Sequence, residues 1–158
     1  ENNFLLRDAI IKSCKIKCNV VKKDEKEKNL RKILNFGHTF AHGFEGAKNF
    51  SKKINHGEAV LLGMIMASEL SCEKKQLSLN DLLLIKNHYL ELDLPMSINK
   101  VFKKKEINKI VYFMKKDKKN TDEKINLILL KKIGRIIEPE KILLNSSEVK
   151  KFLVSRFL

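Results

Sequence analysis

Apolar residues recur at three- and four-residue intervals along most of the chain, which is the spacing of amphipathic helices. Helices are predicted over about residues 4–21, 30–50, 79–92 and 106–117, with another at the end of the chain. Residues 57–71 are apolar on almost every side, which is typical of a central, buried helix. Residues 125–137 are rich in β-branched side chains and predict at most a short strand or hairpin. The pattern therefore predicts a single, mainly α domain over residues 1–158.

The helix predicted over residues 30–50 carries three glycines, Gly37, Gly43 and Gly46. Each glycine costs up to about 1 kcal/mol relative to alanine in a helix interior. Glycines at such positions indicate that another helix or a ligand approaches the backbone closely.

The formal net charge is +14, from 33 Lys and Arg against 19 Asp and Glu. Such a basic surface attracts nucleic acid, anionic membranes or anionic small molecules. Lysine greatly outnumbers arginine, however, and the lysines are spread over the whole chain. The sequence contains no zinc-finger spacing, aromatic RNA-binding signature or recognition-helix pattern. We therefore expect no nucleic-acid partner, and a basic helical nucleic-acid-binding module is kept as a distant alternative.

Other features indicate where the chain works. No apolar run approaches the roughly 18 residues of a membrane span, so we expect no membrane partner. The chain begins at Glu1 without a leader-like sequence, and we expect a cytoplasmic piece of a longer protein. Cys14, Cys18 and Cys72 lack the spacing of a disulfide framework. We expect them to be free thiols, packed in the core, in a reducing compartment.

Three of the four histidines, His38, His42 and His56, lie close together in the sequence. On a helix, His38 and His42 are one turn apart on the same face, where they can share a metal ion or divide between metal and substrate. His56 stands where the next helix begins, so its side chain can point back across a cleft. This arrangement predicts a metal site that uses two of the three imidazoles. The alternative is that all three are ordinary helix and cap residues.

A catalytic zinc usually has three protein ligands and an open position, so these histidines leave one ligand missing. The zinc-peptidase motif HExxH does not supply it, because Thr39 stands where its glutamate would be. Glu45 and Glu58 are candidates for the third ligand. Glu58 is equally well explained as a first-turn carboxylate that stabilises the start of its helix. The residues alone leave these alternatives open.

Three sequence blocks carry a resemblance to a known family. They are KCNVVKKDEKEKNLRKILNFGHTFAHGFE (17–45), INHGEAVLLGM (54–64) and MKKDKKNTDEKINLILLKKIG (114–134). In this order they resemble the C-terminal domain of the 3-dehydroquinate synthase family, and the GHTFAH and NHGEAV motifs are the most specific part. The resemblance implies a helical metal- and substrate-binding domain, the C-terminal half of a two-domain enzyme.

The resemblance also implies an activity. The enzyme would be a lyase of the shikimate pathway of aromatic amino acid biosynthesis, converting 3-deoxy-arabino-heptulosonate 7-phosphate to 3-dehydroquinate and phosphate. Its cofactors would be NAD and zinc or cobalt. The implied partners are the phosphorylated sugar-acid substrate, an N-terminal NAD-binding domain absent from this chain, and a second copy in a homodimer. As an isolated fragment the chain is expected to be inactive.

Carried over by position, the resemblance implies that His38 and His56 are metal ligands, with a glutamate ligand upstream of Glu1. His42 matches a catalytic histidine that contacts the substrate and takes part in proton transfer. The residues implied to bind the substrate's phosphate and other polar groups are Lys17, Arg31, Asn35 and, from the DKK block, Lys118. On one continuous helix Arg31 would share the face of His38. Arginine suits bidentate contacts to oxyanions, and lysine supplies a point charge.

Two enzyme alternatives remain at this point. Another sugar phosphate cyclase, such as a 2-deoxy-scyllo-inosose synthase, would share the zinc and NAD chemistry. A metal-dependent alcohol dehydrogenase such as glycerol dehydrogenase also uses a helical metal-binding domain. Its substrate has no phosphate, so Arg31, Asn35 and Lys118 would lack a purpose.

Overall fold

A computed structural model describes residues 2–116, 124–139 and 141–157 of the chain. The chain divides into two compact units, Glu1–Asn35 and Phe36–Leu158. Helices dominate both units, which confirms the prediction of a mainly α fold. That residues 1–158 form a single domain stays a prediction. No helix within the described ranges is long and apolar enough to cross a membrane.

The first unit consists of helix α1 (Asn2–Lys23), a loop, and a 3-10 helix (Leu30–Asn35). Helix α1 confirms the predicted first helix, but much of its apolar side-chain surface is exposed. Cys14 and Cys18 on this helix are free thiols, as predicted. Their predicted place in the core is wrong, because both are exposed along with most of α1.

The second unit holds the remaining helices. These are α2 (His38–Ala47), α3 (His56–Glu73), α4 (Leu79–Glu91), α5 (Ile107–Lys115) and α6 (Ser146–Val154). Three of them begin at side-chain caps: Asn55 before α3, Ser78 before α4 and Asn145 before α6. The side chains of Asn55 and Ser78 accept from the backbone N–H groups of Glu58 and Asp81. At α6 the N–H of Asn145 donates to the Glu148 carboxylate. These bonds satisfy backbone groups at or next to the helix starts.

The core of the second unit lies around α3, as the apolar pattern of residues 57–71 predicts. Its fully buried large side chains come mainly from α2, α3 and α5, and include Phe40, Phe44, Leu62, Ile65, Met66, Leu70, Ile110 and Met114. Phe40 and Phe44 are stacked one turn apart on α2, with ring centroids 6.3 Å apart. Helix α2 is thus packed into the core on one side, and its histidines lie on another.

Glycines allow α2 to approach two other helices closely. A β-carbon on Gly43 would lie 2.6 Å from Met114 Cγ, and one on Gly46 would overlap the ring of Phe113. Both neighbours belong to α5, so the prediction of close packing at these glycines is confirmed. A β-carbon on Gly63 of α3 would overlap the carbonyl oxygen of Gly37, just before α2.

The single helix predicted over residues 30–50 is wrong. The chain forms the 3-10 helix up to Asn35, breaks, and starts α2 at His38. Gly37 causes the break, since its φ of 80° is left-handed and does not continue a right-handed helix. The same glycine meets the backbone of Met64 on α3, where a β-carbon would lie 2.6 Å from the amide nitrogen.

Two small antiparallel strand pairs complete the second unit. Strands β2 (Leu130–Lys132) and β3 (Arg135–Ile136) form the predicted hairpin, with Gly134 in its turn at φ 77°. Strand β1 (Lys124–Asn126) pairs instead with β4 (Leu143–Asn145), which lies beyond the region where a strand was predicted.

Candidate metal and substrate site

The structure brings the three clustered histidines together. His38 is the first residue of α2, His42 lies one turn later, and His56 is the first residue of α3. The ring centroid of His38 lies 6.1 Å from that of His42 and 5.7 Å from that of His56. Residues eighteen positions apart in sequence therefore share one site, because the amino ends of α2 and α3 lie side by side.

The close contact between Gly37 and Gly63 explains why these two helix starts meet. With hydrogen atoms in place of side chains, the backbone before α2 lies directly against the second turn of α3. A hydrogen bond also fixes the start of α2 against β1: the Thr39 hydroxyl donates to the carbonyl oxygen of Asn126 at 3.2 Å. Thr39, which rules out the HExxH motif, is thus a residue that positions the start of α2.

Hydrogen bonds at Nδ1 set the tautomers of two rings. His38 Nδ1 lies 3.3 Å from the carbonyl oxygen of Phe36, and His56 Nδ1 lies 3.1 Å from Glu45 Oε1. A carbonyl and an ionised carboxylate can only accept, so each Nδ1 carries the proton and donates it. In the neutral rings the lone pair is then at Nε2, which is the form that a metal ion binds.

The spacing of His38 and His56 fits two ligands of one metal ion. Two imidazoles held tetrahedrally at Zn–N distances of about 2.1 Å place their ring centroids about 5 Å apart. The observed centroid distance of 5.7 Å is close to this value. Within the described ranges, no group of three or more His, Cys, Asp and Glu side chains is placed to hold a metal ion. The metal-ligand roles of the two histidines stay predictions.

The structure distinguishes the two candidate glutamates. Glu58 forms a reciprocal cap with Asn55: its carboxylate accepts from the Asn55 N–H at 3.0 Å, and its own N–H donates to Asn55 Oδ1 at 2.9 Å. This favours the first-turn explanation of Glu58. Glu45, on the last full turn of α2, faces His56 instead, and both residues line an open depression of about 450 Å³.

Of the residues predicted to bind substrate, three lie in the first unit. Lys17 is exposed on α1, while Arg31 and Asn35 are partly buried on the 3-10 helix. Because the chain breaks at Gly37, Arg31 and His38 do not lie on one continuous helix, and helical spacing no longer relates their positions. Lys118 lies outside the described residues. The substrate-binding roles of all four stay predictions.

Acidic residues of the loop after α1 hold Arg31 and Asn35 in place, and these contacts were not predicted from the sequence. The Asp24 carboxylate accepts from the backbone N–H of Arg31 at 2.9 Å, and Asn35 Nδ2 donates to Glu27 Oε1 at 2.7 Å. Arg31 also donates from its guanidinium to the carbonyl of Glu25 at 2.8 Å. A signal was present, since three acidic residues interrupt an otherwise lysine-rich run.

The backbone bonds to Asp24 also have an electrostatic effect. Hydrogen bonds from the N–H groups of Arg31 and Asn29 hold the pKa of the Asp24 carboxyl below its ordinary value, because they stabilise the ionised form. The loop that precedes Arg31 is therefore organised around a charged carboxylate.

Comparison with known proteins identifies the family. Residues 1–120 match the family model described as 3-dehydroquinate synthase C-terminal. The chain belongs to this 3-dehydroquinate synthase family. It is 53% identical over 129 residues to the 3-dehydroquinate synthase of Pelagibacter ubique, covering 82% of the chain and 35% of that relative. The 3-dehydroquinate synthase of Campylobacter fetus is 41% identical over 134 residues, and the match covers 85% of the chain and 37% of that relative.

The chain thus spans little more than a third of the length of these 3-dehydroquinate synthases. Solved structures agree on the fold. A 2-deoxy-scyllo-inosose synthase complexed with carbaglucose-6-phosphate, NAD+ and Co2+ matches with a TM-score of 0.67 at 22% identity, over 89% of this chain and 38% of that one. The 2-epi-5-epi-valiolone synthase of Streptomyces hygroscopicus, with NAD+ and Zn2+ bound, gives a TM-score of 0.66 at 21% identity. That match covers 88% of this chain and 36% of the synthase. At these identities the likeness concerns the fold.

Proposed function

We propose that the chain supplies the metal- and substrate-binding half of a 3-dehydroquinate synthase, a phosphate-eliminating lyase. The reaction converts 3-deoxy-arabino-heptulosonate 7-phosphate to 3-dehydroquinate and phosphate. An alcohol is oxidised to a ketone, phosphate leaves by β-elimination, the ketone is reduced again, and an intramolecular aldol step closes the ring. No net oxidation occurs. When bound, NAD supplies the reversible hydride transfer, and zinc or cobalt polarises the alcohol and carbonyl oxygens.

In this proposal His38 and His56 hold the metal ion through Nε2. The Nδ1 protons of both rings are already donated to Phe36 and Glu45, so each ring presents the correct nitrogen without a change of tautomer. A third ligand comes from the region upstream of Glu1. A carboxylate there would complete the set of three protein ligands that leaves one position open for substrate.

His42 handles protons beside the metal ion. It lies one turn after His38 on the exposed side of α2 and shares the same cluster of rings. An imidazole both accepts and donates protons near neutral pH, which suits it to move the protons of the alcohol and of the aldol step. The eliminated phosphate can itself accept the proton that is removed next to the ketone.

Four residues bind the anionic ends of the substrate in this proposal: Lys17, Arg31, Asn35 and Lys118. The substrate carries a carboxylate and a phosphate, and a guanidinium forms short, charge-assisted hydrogen bonds to either. The contact between Arg31 and Glu25 uses one of the five N–H donors of that guanidinium. The net charge of +14 favours the approach of a polyanion.

The observation that carries the proposal is the convergence of His38, His42 and His56 within a chain of this family. In the same proposal, an N-terminal NAD-binding domain completes the enzyme, two copies form a homodimer, and the enzyme works in the cytoplasm as part of the shikimate pathway.

Phosphate release tests the proposal. The chain is expressed with the upstream region that its longer relatives possess, and release from the heptulosonate phosphate is followed with and without NAD and zinc. We expect release that requires both cofactors and is lost in His38→Ala but kept in His88→Ala, where an exposed histidine on α4 is removed. A folded, zinc-loaded protein that releases phosphate from glucose 6-phosphate instead would assign another sugar phosphate cyclase.

A further inference from the structure

The contact between Glu45 and His56 joins two helices at the candidate metal site. His56, the first residue of α3, has 60% of its side chain exposed, whereas Glu45 on α2 has 18% exposed. Glu45 Oε1 lies 3.1 Å from His56 Nδ1, within hydrogen-bonding distance. An exposed imidazole at a helix start would otherwise sample several rotamers, and the better-buried carboxylate selects one of them.

The chemistry of this contact fits a ring that binds metal through its other nitrogen. An ionised carboxylate accepts the Nδ1 proton, which leaves the lone pair of the neutral ring at Nε2. The negative charge also raises the basicity of that lone pair. His38 has the same arrangement with a neutral acceptor, the carbonyl oxygen of Phe36, at a longer distance of 3.3 Å.

Direct coordination by Glu45 is disfavoured by the same geometry. Its oxygen faces Nδ1, the nitrogen that carries the proton, so a metal ion between the two atoms would have to displace the bond that orients the ring. Glu58, which is closer to His56 in sequence, is engaged by the N–H of Asn55, and its own N–H donates to Asn55 Oδ1. Glu45 is therefore the carboxylate that acts on His56.

We propose that Glu45 is a positioning residue of the metal site: it holds His56 in the Nδ1–H tautomer, with Nε2 as the metal-binding nitrogen. This inference rests on the proposed function, because it takes His56 as a metal ligand. Glu45 touches neither metal nor substrate. Loss of such a partner of a metal-binding histidine typically lowers metal affinity 10- to 100-fold.

The test measures zinc affinity in the full-length protein, in which this chain carries the upstream region of its relatives. Chelator competition compares wild type with Glu45→Ala, Glu45→Gln, His38→Ala and, as a matched control, Glu58→Gln. We expect Glu45→Ala to weaken zinc binding about 10- to 100-fold and Glu45→Gln to weaken it less, because the amide carbonyl still accepts the bond. Glu58→Gln should stay close to wild type, and His38→Ala should abolish binding at this site.

Two spectroscopic readings separate positioning from a general loss of structure. In the metal-free protein, 15N shifts of the neutral His56 ring should report mainly the Nδ1–H form in wild type, and a mixture with Nε2–H in Glu45→Ala. Saturated with Co2+, Glu45→Ala should keep the wild-type ligand-field bands, since no ligand has been removed.

Three other outcomes are possible, and each would refute a specific claim about Glu45 or His38. Wild-type zinc affinity and an unchanged tautomer in Glu45→Ala would refute the positioning role while leaving the proposed function intact. Loss of binding equal to that of His38→Ala, with altered Co2+ bands, would make Glu45 a direct ligand. A wild-type protein whose zinc binding does not depend on His38 would refute the proposed function itself, and the inference with it.

Discussion

The carbonyl oxygen of Gly37 lies directly against the α-carbon of Gly63, in the space that a side chain on Gly63 would occupy. Gly37 precedes His38 by one residue, and Gly63 lies two turns after His56. The distance between the two candidate metal ligands is therefore set by a contact between backbones, which leaves little room for adjustment.

Gly63→Ala should destabilise the protein. Alanine favours a helix by up to about 1 kcal/mol over glycine, but here its methyl group would strike backbone, which cannot rotate away as a side chain can. We expect a net loss of about 1–3 kcal/mol in the free energy of unfolding, as for other overpacked sites, measured by urea denaturation. Gly57→Ala is the matched control on α3, since its β-carbon would meet only Asn55 Oδ1 at 3.5 Å. Equal stability of the two variants would contradict the steric argument.

His38→Ala should remove bound zinc and turnover together. The zinc content of the purified full-length protein, measured by atomic emission, is expected to fall from one equivalent to near zero. His88→Ala, on α4 and exposed, should retain both metal and activity. Retention of stoichiometric zinc in His38→Ala would rule out its role as a ligand.

Arg31→Ala should weaken substrate binding. Loss of charge-assisted hydrogen bonds worth about 1.5–3 kcal/mol corresponds to a rise of about 10- to 100-fold in the KM for the heptulosonate phosphate. The KM for NAD should change far less, because the proposed enzyme binds NAD through its N-terminal domain. Arg135→Ala, which removes an exposed arginine from β3, serves as the charge-matched control. An unchanged substrate KM in Arg31→Ala would refute the role.

Acid should loosen the loop that precedes Arg31. Backbone hydrogen bonds from Arg31 and Asn29 lower the pKa of the Asp24 carboxyl in the folded state. The ionised carboxylate therefore stabilises the fold above the unfolded-state pKa, and this stabilisation is lost as the pH falls through the folded-state pKa. We expect an NMR titration midpoint for the Asp24 carboxyl below 3.8. In Asp24→Ala the amides of Lys28, Asn29 and Arg31 should exchange quickly even at neutral pH. A midpoint at or above 3.8 would contradict the structure of this loop.

Local signals predicted most of the helices correctly. The Ser-x-x-Asp sequence at Ser78 and the run of apolar residues after His56 are both sufficient to place a helix start. Each depends on residues within one or two turns, so no tertiary information is needed. The clustering and helical spacing of the histidines singled out the three residues whose rings the structure brings together, and the family motifs then implied a role for each.

Non-local contacts account for what the sequence did not predict. Helical periodicity runs through Gly37, where the left-handed backbone ends the helical segment. The α3 backbone that packs against this glycine lies 26 residues further along the chain, at Gly63. Strand β4 is three residues long and exists because it pairs with β1. The proposed role of Glu45 depends on His56, which approaches from another helix, so the sequence could mark Glu45 as a candidate ligand but not reveal this contact.

His38 and His56 are each the first residue of a helix, so the amino ends of α2 and α3 face the same small volume. Each helix amino end carries a partial positive charge of about half an elementary charge, owing to aligned peptide dipoles. A divalent cation held there adds to this potential. In the proposed site, this potential favours anions as the remaining neighbours of the cation: a carboxylate as the third ligand, and the oxyanions of a substrate in the open position. A neutral third ligand such as histidine would leave more of that positive potential uncompensated.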